Sequence, residues 1–159
     1  MPEKGEKETP IRESVHVDCP IDDAFRLFTD GFGEWWPLTR YSNAGDEADT
    51  CVIEPWVGGR VFERSQSGEE CDWGSVTTWD PPNKVSFTWD PGGSGDGEQR
   101  VDVQFDADAD GTEVTLVHAG WETPGVAVCA AAWGSAAIWS TLLTQYFLAF
   151  ATEEILVSA

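Results

Sequence analysis

The sequence predicts an α+β fold: a curved antiparallel sheet of about seven strands wrapped on a long C-terminal helix, with two short helices after the first strand. Three observations carry it. The stretch from Cys51 to Trp89 reads as strand-like segments broken by Gly58-Gly59 and by Asp80-Pro81-Pro82, both of them turn chemistry. From Arg100 to Asp106, apolar Val101, Val103 and Phe105 alternate with Asp102, Gln104 and Asp106, the period of a half-buried strand. The only long helical signal comes last, from residue 130 to 156.

The elements follow in order. Residues 1–10 are polar and charged and read as a disordered tail; residues 11–157 read as a single domain. Ile11 to Val17 is strand-like, with Val15 and Val17 on one face and His16 on the other. Pro20 opens a short amphipathic helix whose first turn holds Asp22 and Asp23, where acids suit the helix dipole. A second short helix is expected over residues 29–36, ending at Trp35-Trp36-Pro37, and residues 38–49 read as loop. Strands are expected near 50–56, 59–65, 69–79, 83–89, 100–106 and 112–121, with a flexible hairpin tip at 90–97. In the final helix Trp139, Leu142, Leu143, Tyr146, Phe147 and Phe150 fall three and four apart, and no charge interrupts the run from Trp133 to Thr152. A meander leaves one sheet face wet, so this stripe must cover the other.

Composition narrows the function. The chain carries 29 acidic and 9 basic residues, a net charge of -20. Such a surface repels nucleic-acid phosphates and anionic headgroups, which argues against nucleic-acid and membrane partners. The acids are scattered rather than run together, which favours a solvated face suited to high salt over a docking face for a basic partner. Cys19, Cys51, Cys71 and Cys129 form no close pair and only His16 and His118 accompany them, so neither a zinc site nor any other metal or cofactor is expected. A charged N-terminus and the lack of a long apolar run point to a cytoplasmic protein with free thiols. Nine Trp residues suggest a broad aromatic core, a cavity, or both.

Four stretches carry a resemblance: VHVDCPIDDAFRLFTDGFGEWWP at 15–37, VIEPWVGGRVFE at 52–63, WGSVTTWDPPNKVSFTW at 73–89 and GTEVTLVHAGW at 111–121. In this order, with the helix behind them, they make the chain resemble the START-like (SRPBCC, helix-grip) superfamily, and within it homologues of the activator of the heat-shock chaperone ATPase. The resemblance implies a cavity between sheet and C-terminal helix, and activities that range from lipid and polyketide binding to chaperone contacts.

Candidate ligand-binding residues are Trp35, Trp36, Trp73, Phe87, His118, Trp121, Trp139, Leu143 and Phe147, expected around that cavity. No catalysis is committed. The weak catalytic candidates are His118, on an apolar strand face near Trp121 and Glu122, and Glu54, which a hairpin at Gly58-Gly59 would pair with Arg60. Arg26 and Arg40 are scarce cations near the Trp35-Trp36 pair. The leading expectation is a domain that binds a small apolar or amphipathic ligand. The alternatives are a protein-interaction module of chaperone-activator type, with a protein partner or homodimer possible, and a cyclase- or hydrolase-like enzyme using His118.

Overall fold

The computed structural model describes residues 11–42, 44–89, 99–119 and 139–158. Strand β1 (Ile11–Val17) leads into helices α1 (Ile21–Thr29) and α2 (Phe32–Trp35), and a short 3₁₀ turn (Gly45–Glu47) precedes β2 (Ala48–Ile53). Strands β3 (Arg60–Ser65), β4 (Glu70–Asp80), β5 (Lys84–Thr88), β6 (Arg100–Asp108) and β7 (Gly111–Ala119) complete the sheet. The C-terminal helix α3 runs from Trp139 to Ser158, through a π-helical segment at Leu142–Phe147. The expected second helix is one short turn rather than the span 29–36, because α1 continues through Thr29 and Gly31 opens a separate helix. The expected helical segment 130–138, the hairpin tip and the tail at 1–10 lie outside the described residues.

The seven strands form one sheet in the order β1-β7-β6-β5-β4-β3-β2, every neighbour antiparallel. Strands β2 to β7 are the expected meander, and β1 closes against β7 with Ile11 opposite His118 and Val17 opposite Thr112. Three bulges interrupt the ladders. They leave Asp49, Trp73 and Thr77 without an opposing residue. A bulge bends its strand and sharpens its twist, so three in one half of the sheet curl it toward the helices.

The concave face holds the core. Phe25 and Phe28 of α1 meet Phe105 of β6 at ring-centroid distances of 5.1 and 5.9 Å, and Phe28 meets Phe147 of α3 at 5.2 Å. Val101, Val103 and Phe105 are buried while Gln104 and Asp106 are exposed, as the alternation required. On the convex face, Phe62 is buried beneath two guanidinium groups, with Arg60 at 4.0 Å and Arg64 at 5.5 Å from its ring centre. Among the described residues no helix is long and apolar enough to cross a membrane.

Candidate functional site

The concave end of the sheet gathers the indoles. Trp36 lies 5.1 Å from Trp73, 6.0 Å from Trp89 and 5.8 Å from Trp139, and Trp89 lies 5.9 Å from Trp73 and 5.1 Å from Trp139. Trp35, Phe32 and Phe147 extend the cluster toward α1. All these rings are buried, and they meet in edge-on or tilted geometries that suit their quadrupoles. The bulge in β4 explains how Trp73 enters: as the residue without a partner on β3, it is aimed inward rather than held in the ladder.

Four of the indole N–H groups fall into two pairs. Trp35 Nε1 donates to the Phe28 carbonyl at 3.1 Å and Trp36 Nε1 to the Tyr41 carbonyl at 2.6 Å. These bonds hold the α1–α2 corner to its own backbone. Trp73 and Trp139 instead donate to ionisable side chains. Trp73 Nε1 donates to Glu63 Oε1 at 2.7 Å, and Trp139 Nε1 to His118 Nδ1 at 2.8 Å. Glu63 sits on the inner face of β3 beside Val61, and its Oε2 accepts the Ala44 backbone N–H at 2.8 Å. A carboxylate that accepts two N–H groups is tolerated in an apolar interior where a bare one is not.

His118 is fully buried on β7. Because Nδ1 accepts from Trp139, the ring proton sits on Nε2, which donates to Gln99 Oε1 at 2.9 Å. Burial pushes its pKa down to about 4, so the imidazole is neutral at pH 7. A neutral ring with one donor and one acceptor in use is an orienting group.

The other expected residues fall as follows. Phe87, Leu143 and Phe147 are fully buried, Phe87 at 6.1 Å from Trp89. Trp121 and Glu122 lie outside the described residues. Glu54 belongs to the β2–β3 hairpin: its Oε1 accepts the Arg60 backbone N–H at 2.7 Å and its Oε2 lies 3.6 Å from the Arg60 guanidinium. Arg26 is exposed and paired with Asp23; Arg40 is exposed beyond the Trp36 corner. Sequence reasoning missed Glu63, Trp89 and Gln99. The period of β3 held the signal for Glu63, since it places Glu63 on the same face as Val61. Among the described residues no group of three or more His, Cys, Asp or Glu side chains is arranged to hold a metal.

The chain is similar to known proteins over most of its length. The family model for Activator of Hsp90 ATPase homolog 1-like protein matches residues 18–147. An AHSA1-like protein from Aeromonas hydrophila superposes with a TM-score of 0.60 at 23% identity, over 93% of this chain and 95% of the other. An anthrahydroquino-γ-pyrone synthase, solved as a complex, gives 0.57 at 26% identity over 92% and 97%. The Aha1 dimer from Colwellia psychrerythraea gives 0.59 at 15% identity over 86% and 92%. No curated protein matches the sequence.

Proposed function

The chain belongs to the Activator of Hsp90 ATPase homolog 1-like family, of START-like (SRPBCC) helix-grip fold, and from that premise we propose that it binds a small apolar or amphipathic molecule between the sheet and α3. The observation that carries this reading is the pairing of Trp73 with Glu63 and of Trp139 with His118. Trp35 and Trp36, by contrast, donate to backbone carbonyls. Two ionisable groups kept inside an aromatic box are polar handles that a ligand can exchange for an indole, and a titratable group perturbed by burial, as His118 is, is of the kind that collects at binding sites. The π-helical segment of α3 supports the same reading, because such segments are uncommon and recur at functional sites. A planar ligand would stack on Trp36, Trp89 and Trp139, with Phe87, Leu143 and Phe147 behind it. Trp35, Trp73 and Trp121 complete the expected lining. We read the protein as cytoplasmic, alone or as a homodimer.

The test is intrinsic tryptophan fluorescence titrated with a panel of fatty acids and planar polycyclic phenols, paired with thermal melting. A binder shifts the emission and raises the melting temperature, and His118→Phe weakens it. A panel that moves neither signal overturns the reading.

A second reading, a cyclase-like enzyme, draws on the anthrahydroquino-γ-pyrone synthase relative and on His118 facing the interior beside Gln99. Turnover of a polyketide-type phenol that His118→Ala abolishes would establish it. Turnover unchanged in that variant would remove His118 from the chemistry.

A further inference from the structure

The acidic surface is not uniform. Between the α1–α2 corner and α3 runs a groove of about 520 Å³. Its floor is apolar, formed by the half-buried side chains of Leu27, Phe150 and Ile155. Gly31 lets the two walls approach: a Cβ there would stand 2.8 Å from the Phe150 ring. Asp18, Asp30, Glu34 and Glu154 line it as well, and its one cation, Arg26, is already paired with Asp23. A second concavity of about 440 Å³ shares Asp30 and Glu34 with the first and follows β2 to Pro55. The next two residues, Trp56 and Val57, are 53% and 63% exposed, the exposed large apolar side chains among the described residues.

The groove thus combines an apolar floor with carboxylates, of which Asp30 and Glu34 also line the second concavity. We propose that it docks a basic, amphipathic segment of a protein partner. Apolar side chains of that segment would pack on Leu27, Phe150 and Ile155, and its Lys and Arg would face Asp30, Glu34 and Glu154. Charge complementarity decides the occupant. A second copy of this chain has few cations to offer this groove, 9 against 29 acids. Nucleic acid and anionic membrane are repelled by the acids. The two concavities meet at Asp30 and Glu34, so the carboxylates serve both. This surface lies on the outside of the α1–α2 corner, apart from the indole cluster, so it stands or falls independently of the interior site.

The test uses the full chain and a fluorescein-labelled Leu/Lys amphipathic helical peptide, followed by anisotropy. Three arms separate the sources of binding. The triple reversal Asp30→Lys, Glu34→Lys, Glu154→Lys is compared with the distal reversal Asp106→Lys, Asp110→Lys, Glu113→Lys, which changes net charge equally. A Lys/Ser peptide of the same charge tests the apolar floor. Dodecylamine is added as a competitor. The expected result is a loss of about tenfold or more for the groove reversal against about threefold or less for the distal one. The Lys/Ser peptide binds more weakly, and dodecylamine does not displace the labelled peptide. Equal losses from both reversals would reduce the effect to net charge and overturn the proposal. So would equal binding of the Lys/Ser peptide, and displacement by dodecylamine would make the groove a small-molecule site instead. Should the triple reversal fail to fold, Ile155→Ser leaves every charge in place and must still weaken the amphipathic peptide; unchanged binding in that variant overturns the proposal as well.

Discussion

The indole N–H of Trp139 donates to Nδ1 of His118 at 2.8 Å, and this one bond sets which imidazole nitrogen holds the proton. It ties the start of α3 to the end of β7 and leaves Nε2–H to Gln99. Raising the pH from neutral does not disturb the arrangement, because the bonded form is already the neutral one. Protonation does, because it would put a second donor against the indole N–H.

A pH dependence follows. The folded pKa of His118, about 4, lies below its ordinary value of 6.5. Between these values the unfolded chain binds the proton and the folded chain does not, so folding stability falls as pH falls. The contribution is whole above pH 6.5 and is lost on descent to pH 4, by up to roughly 3 kcal/mol. Urea melts of the wild type and of His118→Gln across that window separate this group from the many carboxylates. The wild type should lose more stability than the variant on acidification; parallel curves would show that His118 titrates normally. Nitrogen chemical shifts of the imidazole report the Nε2–H tautomer directly.

The two partners should also be energetically coupled. Trp139→Phe removes the donor and leaves Nδ1 buried and unpaired, whereas His118→Phe strands the indole N–H. Each single change costs about 1–3 kcal/mol through its orphaned partner, and the double change costs less than their sum. A double-mutant cycle by denaturant melting reads the coupling, expected at about 1 kcal/mol or more. Strict additivity would mean that the bond is not formed in solution.

Glu63 makes a similar case with a different ledger of donors. Its two oxygens accept from Trp73 and from the Ala44 backbone, so both must remain acceptors. Glu63→Gln replaces one oxygen with an NH₂ group that faces a donor. The isosteric change is expected to cost about 1–3 kcal/mol, and to shift tryptophan emission when the NH₂ group takes the oxygen's place facing Trp73. Wild-type stability in the variant would place the carboxylate outside the structural network.

Local rules made the meander legible. Val101, Val103 and Phe105 alternate, Gly58-Gly59 and Asp80-Pro81-Pro82 mark reversals, and the stripe from Trp139 to Phe150 demands a sheet to cover. What local rules do not contain is the placement of β1 against β7, a pairing across most of the chain with no turn to set its register. Bulges are equally silent: nothing in the residues around Trp73 distinguishes an unopposed position from a paired one. The π-helical segment escaped because spacings of three and four describe α- and π-helical faces alike over so short a run. Glu63 was overlooked for a different reason. A carboxylate beside Arg60 and Arg64 looks like surface, and only its strand parity with Val61 says otherwise.

The bulge at Trp73 rests on the residue after it. A Cβ on Gly74 would lie 1.8 Å from the Thr88 carbonyl oxygen and 2.7 Å from its carbon, both of them backbone atoms that cannot step aside. The same spot holds the bond from the Ser75 N–H to Thr88 Oγ1 at 2.9 Å, so β4 and β5 are drawn together where β4 bends. Gly74→Ala must open this ladder, and opening it moves Trp73 away from Glu63. The expected cost is about 3 kcal/mol or more, with a change in tryptophan emission. Gly68→Ala is the matched control. Gly68 has a φ of 96° with nothing near its missing Cβ, so its substitution carries only the conformational penalty, about 1 kcal/mol. Denaturant melts of the two variants rank them, and Gly74→Ala should be by far the weaker fold. Equal costs would show that β4 stands farther from Thr88 than the bulge requires, and that Trp73 reaches the interior without it.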